Sequence, residues 1–281
     1  MKDHPSDWVA SWWRRSLLLA CLGTLASGCG GREQPTESPA SQPSVRRQVS
    51  VAAAANLKFV LDDVIAAFRH QHAEVEVKAV YGSSGSLFAQ LANGAPFDLF
   101  LSADVAYPQK LVEQGLASES DVFLYAVGRI AIWVPNSSPL DVASVGIQSL
   151  VDPSVQRIAM ANPTHAPYGR AAESAMKTLG VYEEVKSRLV LAENITQAAQ
   201  FVESGAADIG IIALSLALAP PMRDKGRYWE IPVDAYPRIE QAGVILRRSE
   251  DTRSVRMLCQ FMRGEESRAI LRKHGYALPE S

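Results

Sequence analysis

Small polar residues cluster at four points where a strand-like run of the sequence changes into a helix-like one. At such a junction the first backbone N–H groups of the helix have no intrahelical partner, and groups of this kind bind anions. Serine hydroxyls and glycine in the second cluster would add donors and let the main chain approach a ligand closely. The four clusters are AANL (residues 54–57), GSSGS (82–86), PYG (167–169) and ENIT (193–196). Together they predict a receptor for a small oxyanion.

Each cluster has a simpler interpretation when it is considered alone. Asn56 stands where the N-cap of a helix is expected, and a capping asparagine serves only its own helix. The GSSGS turn can likewise be a flexible helix cap, and it lacks the following Lys-Ser/Thr pair of a phosphate-binding loop. The prediction of anion binding therefore depends on the recurrence of the same arrangement.

A hydrolytic site is the alternative from another functional class. Ser84 could act as a nucleophile with His165 as its base. The turn lacks the glycine that follows two residues after the serine of a nucleophile elbow, and no third residue that would orient the histidine is evident. His165 is expected to bond within its own turn, and Arg170 beside it would steer anions without touching them. These observations favour a protein that is not an enzyme and has no catalytic residue.

The elements that would position the clusters alternate along the chain. Strand-like runs occur at VEVKAVY (75–81), FDLFLSAD (97–104), RIAIWVP (129–135), RIAMA (157–161) and ADIGIIAL (207–214). Helix-like runs lie between them, with apolar residues at helical spacing over residues 57–68 and a helix predicted over residues 108–115. This alternation predicts an α/β fold whose sheets are mostly parallel.

Two crossings of the chain predict two lobes. They lie near residues 126–129 and 239–242, so the first lobe would hold residues 48–127 plus 241–281 and the second residues 128–240. Ligands of open α/β sheets bind beyond the carboxyl ends of the strands. All four clusters are therefore expected on the facing sides of one cleft.

The first part of the chain has the features of an export signal. Two arginines precede the apolar run SLLLACLGTLA (16–26), which is too short to span a membrane. LASGC (25–29) resembles a lipoprotein cleavage box, and we expect a lipid on Cys29, although a chance cysteine after an ordinary signal remains an alternative. Residues 1–29 are thus predicted to be a signal peptide and residues 30–47 a polar tether. The expected location is the periplasm or the outer face of the cytoplasmic membrane.

Composition excludes a general electrostatic attraction to nucleic acid. The formal net charge is −2, and 47% hydrophobic with 21% charged residues is ordinary for a globular protein. Any specificity for anions must therefore be local, made by oriented dipoles and hydroxyl groups. We expect no nucleic-acid partner and a monomer.

Several stretches resemble the periplasmic molybdate-binding proteins, the substrate-binding components of ABC transporters. The resemblance extends over nearly the whole chain after the leader. The stretches are VAAAANL (51–57), YGSSGSL (81–87), GAPFDLFLSAD (94–104), NPTHAPYGRAA (162–172), LAENITQA (191–198) and FMRGEESRAILRKHGYAL (261–278). The resemblance implies a two-lobe type II periplasmic binding protein, in which each lobe is a mixed, mostly parallel sheet flanked by helices. It also implies an ABC permease as partner.

The same resemblance implies a ligand set. The oxyanion would be held at four helix starts by Asn56, Ser84, Tyr168 and Ile195, the last through its backbone amide alone. Many family members have a ligand tyrosine where this chain has Ala213, so Tyr168 is expected to supply the phenol instead. What replaces the missing tyrosine stays open.

The chemistry of these four residues indicates which anions fit. None of them is acidic, so the site would favour an anion that has no proton to share, namely molybdate, tungstate or sulfate. Phosphate retains a proton at neutral pH and would need an acceptor. No bound metal cation and no cofactor are expected, because molybdate itself is the ligand. A sulfate or other oxyanion receptor on the same fold is the alternative within the binding class.

Overall fold

The computed structural model describes residues 47–280, which belong to one compact unit spanning Ser44–Ser281. The predicted signal peptide, the predicted lipid on Cys29 and the tether as far as residue 46 lie outside the described residues. The first strand already includes Arg47, which was predicted to be the last tether residue. Over residues 47–280, every helix is too short or too polar to cross a bilayer.

Strands and helices alternate as the sequence predicts. In chain order the strands are β1 (Arg47–Ala54), β2 (Val75–Gly82), β3 (Leu99–Ser102), β4 (Ala117–Gly128), β5 (Ile130–Pro135), β6 (Ile158–Ala161), β7 (Leu189–Ala192), β8 (Ile209–Ala213), β9 (Gly226–Glu230) and β10 (Ile239–Leu246). The α-helices are α1 (Lys58–Gln71), α2 (Ser84–Ala92), α3 (Ala106–Glu113), α4 (Val142–Val145), α5 (Pro167–Thr178), α6 (Tyr182–Val185), α7 (Ile195–Glu203), α8 (Leu214–Ala217), α9 (Pro220–Arg223), α10 (Thr252–Arg263) and α11 (Glu265–Lys273). Short 3-10 helices cover Ala55–Leu57, Gly146–Leu150, Lys186–Arg188 and Val233–Ala235.

The strands form two mixed sheets of five strands each. The first has the order β2-β1-β3-β10-β4 and the second the order β7-β6-β8-β5-β9. In the first sheet β1 is parallel to β2 and β3, whereas β10 is antiparallel to β3 and β4. In the second, β6 is parallel to β7 and β8, whereas β5 is antiparallel to β8 and β9. The predicted α/β fold of two mixed sheets flanked by helices is confirmed, but the sheets are not mostly parallel, since parallel and antiparallel pairings are equal in number.

Each sheet with its helices is one lobe, which we call the first and the second lobe. The chain passes from the first to the second between β4 and β5, where Arg129 alone separates the strands, and returns between β9 and β10. Helices α10 and α11 then pack on the first lobe against α1. The lobe boundaries predicted at 127/128 and 240/241 remain predictions.

Local sequence explains most of the elements. The buried face of α1 consists of Val60, Leu61, Val64, Ile65 and Phe68, which recur at helical spacing as predicted. Helix α3 begins at Ala106, two residues before the predicted start, because Pro108 is tolerated within the first turn, where an N–H would have no helical partner.

Three edge strands are absent from the strand-like runs predicted from the sequence. They are β4, β7 and β9, and each lies at an outer end of its sheet. An edge strand is covered on fewer sides than a central strand, and none of the residues of β9 is fully buried. Strand β4 does contain an apolar run, at residues 122–127, so a signal for it was present.

Candidate functional site

The four polar clusters all lie at the carboxyl ends of parallel strands. The first follows β1, the second follows β2, the third follows β6 and the fourth follows β7. Their residues Asn56, Ser84, Tyr168 and Ile195 line one small cavity between the two lobes, with a volume of about 10 Å³. All residues that line the cavity are uncharged. Two lobes therefore bring backbone N–H groups, a hydroxyl and a phenol to one small space.

Backbone N–H groups at three helix starts are free to bind a ligand. Within residues 47–280, the N–H groups of Ser84, Tyr168 and Ile195 have no hydrogen-bond partner. The fourth cluster leaves this N–H free because Asn194 caps α7 one residue later, its Oδ1 accepting from the N–H of Thr196 at 3.1 Å and of Gln197 at 3.0 Å. Free N–H groups at a helix start carry partial positive charge and attract an anion.

The hydroxyl of Ser84 is oriented to donate. Ser84 is 1% exposed, and its Oγ accepts the N–H of Ala103 at 2.9 Å. Because that contact uses a lone pair of Oγ and not its proton, the proton remains available for a ligand. The neighbouring Ser83 takes the N-cap role by accepting the N–H of Ser86, so Ser84 is not needed as a cap.

Asn56 has a different place from the one predicted for it. It lies inside the 3-10 helix and is not an N-cap; the N-cap is Ala54, whose side chain has no acceptor. The side chain of Asn56 donates through Nδ2 to Gln241 Oε1 at 3.0 Å and to the Tyr276 hydroxyl at 2.8 Å. Its Oδ1 is buried and has no hydrogen-bond partner within residues 47–280. Both N–H bonds of this amide thus hold the wall of the cavity together.

Tyr168 lines the same cavity, and its phenol is buried. Its hydroxyl oxygen accepts the N–H of Gln241 Nε2 at 2.8 Å. Burial raises the pKa of Tyr168 well above its usual value, and the nearby Tyr276 and Tyr125 raise it further. The phenol is therefore neutral and retains a proton at physiological pH.

Contacts between the lobes close the cleft around the cavity. Gly85 N–H donates to the carbonyl of His165 at 2.9 Å, and Ser86 Oγ donates to Glu193 Oε1 at 2.8 Å. Elsewhere along the cleft, Thr196 Oγ1 donates to the carbonyl of Ala55 at 2.8 Å. The structure therefore represents a closed arrangement of the lobes.

The two residues considered for hydrolysis are not paired. His165 Nε2 contacts the Glu193 carbonyl oxygen at 3.0 Å and Glu193 Oε2 at 3.3 Å. No hydrogen bond joins His165 to Ser84 within residues 47–280, so the geometry offers no nucleophile and base. Arg170 forms an ion pair with Asp104 of the first lobe, so its charge is partly compensated.

Three residues that hold Asn56 and Tyr168 in place were missed by the sequence analysis. Gln241 is fully buried in β10, and Tyr276 and Ser215 meet at 3.1 Å beside Asn56. Ser215 Oγ donates to the Asn56 carbonyl at 3.2 Å. One signal for Gln241 was present, namely a lone amide in the apolar strand IEQAGVIL, but nothing in the sequence pointed to its partners.

Ala213 lies at the end of β8 and does not line the cavity. Strand β8 therefore carries no phenol at the position where the resemblance implied a ligand tyrosine. The nearby hydroxyls belong to Ser215 and Tyr276, which bond to Asn56 rather than line the cavity.

Comparison with known proteins identifies relatives over most of the chain. Residues 49–277 match the family model for bacterial extracellular solute-binding proteins. The molybdate-binding protein of Rhodobacter capsulatus is 34% identical over 234 residues, which cover 83% of this chain and 90% of the relative.

Solved structures agree with this assignment. The periplasmic molybdate-binding protein of Azotobacter vinelandii aligns with a TM-score of 0.76 and 32% identity, covering 83% of this chain and 100% of that one. A sulfate-binding protein of Mycobacterium tuberculosis aligns with a TM-score of 0.69 at 15% identity, over 83% of this chain and 88% of that one. At 15% identity the last match concerns the fold alone.

Proposed function

The chain belongs to the bacterial extracellular solute-binding proteins, which are non-enzymatic transport components, and we propose that it captures molybdate and delivers it to an ABC permease. In this proposal Asn56, Ser84, Tyr168 and Ile195 surround the anion. Tungstate has the same charge and shape and would be bound as well.

One observation carries the proposal. The cavity between the lobes is lined by uncharged residues, and free N–H groups of helix starts from both lobes reach it. Such a cavity can neutralise a dianion only through peptide dipoles, hydroxyls and amides. Its lining contains no carboxylate to balance a cation and no histidine or carboxylate to act as a base for hydrolysis.

The absence of an acidic side chain in the cavity lining supports a preference against phosphate. Phosphate carries a proton at neutral pH and would lose the water that accepts it. Molybdate and tungstate carry no proton and can receive donors at every oxygen. Sulfate has the same property, so cavity size must separate it from the larger anions.

The expected affinity follows from the number of donors. Charge-assisted hydrogen bonds contribute about 1.5–3 kcal/mol each. Several of them, reduced by desolvation and closure, give binding free energies of about −8 to −12 kcal/mol, which corresponds to micromolar to nanomolar dissociation constants.

We propose that the protein acts outside the cytoplasmic membrane as a monomer anchored through Cys29. A single acyl chain gives reversible membrane binding, so further acyl groups on the same cysteine would be required for a stable anchor. Mass spectrometry of protein from the membrane fraction tests the anchor, and an unmodified Cys29 would refute it.

Calorimetric titration of the purified mature protein tests the function. Molybdate and tungstate should bind in the range given above, and phosphate should not bind. If the protein bound neither molybdate nor tungstate, the proposal would be wrong. If it bound sulfate more tightly than molybdate, it would be a sulfate receptor.

Two variants test the location of the site. Ser84→Ala removes a donor from the cavity and should weaken molybdate binding by at least about ten-fold. Thr196→Ala removes only the interlobe contact to the Ala55 carbonyl and should weaken it less. Ser149→Ala is the matched control, because this buried hydroxyl bonds within its own turn at 2.7 Å. Equal affinities of the Ser84 and Thr196 variants would show that the site is misplaced.

A further inference from the structure

Gln241 is a fully buried amide at the crossing between the lobes. It lies in β10, where the pairing with β4 shifts register between Gln241 and Ala242. An amide in an apolar strand must satisfy both its oxygen and its nitrogen with protein partners, because water is excluded. The hydrogen-bond partners of Gln241 therefore indicate what its side chain does.

The hydrogen bonds of Gln241 define the orientation of its amide. Oε1 accepts from Asn56 Nδ2 at 3.0 Å and from the Tyr125 hydroxyl at 3.1 Å. With the oxygen held by these donors, Nε2 is directed to the Tyr168 hydroxyl oxygen at 2.8 Å. An amide nitrogen only donates, so the oxygen of Tyr168 must accept there, and its proton must be directed elsewhere.

We propose that Gln241 is a positioning residue that makes Tyr168 a fixed donor to the bound anion and thereby sets the selectivity of the site. This inference rests on the proposed function. Gln241 itself does not line the cavity; it contacts two residues that do, Tyr168 through Nε2 and Asn56 through Oε1.

The Tyr168 hydroxyl has one neutral acceptor beside it, the Tyr276 hydroxyl, and a bound oxyanion would be the stronger one. The neighbouring Tyr276 hydroxyl already receives an N–H of Asn56 at 2.8 Å. A hydrogen bond to a charged acceptor is about twice as strong as one between neutral groups. Burial raises the pKa of Tyr168, so the phenol is protonated when the anion enters.

The segment where the chain passes between the lobes leaves space for the hydrogen bond between Gln241 and Tyr168. A Cβ added to Gly128, the last residue of β4, would lie 2.3 Å from the Tyr168 hydroxyl and 2.8 Å from Gln241 Nε2. The hydrogen bond joins β10 of the first lobe to α5 of the second. The donor is therefore fixed in the closed arrangement, at the place where the lobes are connected.

A fixed donor rejects a protonated oxyanion. Hydrogenphosphate needs an acceptor for its proton, and a Tyr168 hydroxyl held by Gln241 cannot turn to accept it. Without Gln241 the hydroxyl rotates, so it both donates less well to molybdate and can accept from hydrogenphosphate. Loss of Gln241 should narrow the preference for molybdate over phosphate.

A double-mutant cycle tests the inference in the full mature chain. The variants are Gln241→Met, Tyr168→Phe and the pair, with Gln241→Leu as a second apolar replacement should Met pack poorly. Calorimetry with molybdate, tungstate and phosphate at pH 7.5 gives the affinities, and thermal unfolding without anion reports on folding. Each Gln241 variant alone should weaken molybdate binding by about 5- to 20-fold and reduce the molybdate-to-phosphate ratio.

The decisive result is the behaviour in the Tyr168→Phe background. There the Gln241 replacement should reduce molybdate affinity by a clearly smaller factor than in wild type, because the Tyr168 hydroxyl is absent and only the bond of Gln241 to Asn56 remains to be lost. Additive effects, or an unchanged preference against phosphate, would overturn the inference. A wild-type protein that binds neither molybdate nor tungstate would instead refute the proposed function.

Discussion

At the scale of single residues, the site separates side chains that face the ligand from side chains that hold them. Ser84 and Tyr168 each use an oxygen lone pair for a protein donor, Ala103 N–H or Gln241 Nε2, and each retains its proton. This arrangement produces donors without positive charge. Asn56 belongs to the holding group through its side chain, since its N–H bonds go to Gln241 and Tyr276.

The neutrality of Asn56 is therefore a condition for dianion binding, and Asn56→Asp tests it. The carboxylate would replace the donor to Gln241 and add a negative charge to the cavity lining. Two unit charges 4 Å apart repel by about 4 kcal/mol at an effective dielectric constant of 20, so we expect molybdate affinity to fall by more than about 100-fold at pH 7.5. Calorimetry measures this loss directly.

Asn162→Asp is the matched control for the added charge. Asn162 Oδ1 accepts the Thr164 N–H at 3.0 Å in the turn before α5, and the residue does not line the cavity. An Asp can accept the same bond, so this variant should bind molybdate within about three-fold of wild type, because exposed charges are screened. Comparable losses in both variants would mean that total charge, and not the cavity, controls affinity.

The sequence was sufficient to predict that the four cluster residues lie near one another, but not how their side chains are oriented. Asn56, Ser84, Tyr168 and Ile195 could be brought to one cavity because ligands of α/β sheets lie beyond the strand ends. Their roles as ligands remain predictions. Gln241 could not be found, because its partners are 73 to 185 residues away and only the folded chain brings them together.

At the scale of elements, closure depends on how near two helix starts can approach. Helix α2 meets the turn before α5 at Gly85, whose N–H donates to the His165 carbonyl. A Cβ added to Gly85 would lie 2.7 Å from that carbonyl oxygen and 2.8 Å from the Tyr107 hydroxyl. These distances are too short for carbon and oxygen, so any side chain there would hold the lobes apart.

Gly85→Ala is therefore expected to separate closure from folding. The variant should retain its secondary structure and lose at least about 50-fold in molybdate affinity, because the second lobe can no longer supply its donors. Small-angle scattering should show that molybdate reduces the radius of gyration of wild type but not of the variant.

Gly264→Ala provides the control. Gly264 lies at the start of α11, and a Cβ added there would have the Phe261 carbonyl oxygen as its nearest neighbour, at 3.1 Å. This variant should lose some stability and bind molybdate normally. A Gly85→Ala protein that binds as tightly as wild type would contradict the closed contact.

The elements that could be predicted from sequence are those with a one-sided or fully buried apolar pattern. Helix α1 and strand β8 belong to this group, since their apolar spacing determines their faces. The edge strand β9 could not be predicted, because none of its residues is fully buried, whereas β4 was missed although residues 122–127 form an apolar run. The antiparallel pairing of β10 with β3 and β4 also could not be predicted from the sequence, because the direction of pairing depends on the path of the chain between the lobes.

At the scale of the whole molecule, the proposed function makes binding and closure one event. The contacts that join the lobes are few and partly exposed, for example the Ser86–Glu193 hydrogen bond and the Arg170–Asp104 ion pair. Exposed ion pairs contribute about 1 kcal/mol or less. An anion that receives donors from both lobes therefore supplies a large share of the free energy that holds the cleft shut.

This linkage predicts how ligands change thermal stability. A ligand present at 100 times its dissociation constant stabilises the native state by about 2.7 kcal/mol, which raises the melting temperature of a domain of this size by about 5–11 °C. Calorimetric melting should show that shift with molybdate and tungstate, and none with phosphate at the same concentration. The Gly85→Ala protein, which cannot close, should melt at the same temperature with and without molybdate. A shift of equal size with phosphate, or in the Gly85 variant, would mean that the stabilisation arises from ions on the surface and not from an anion between the lobes.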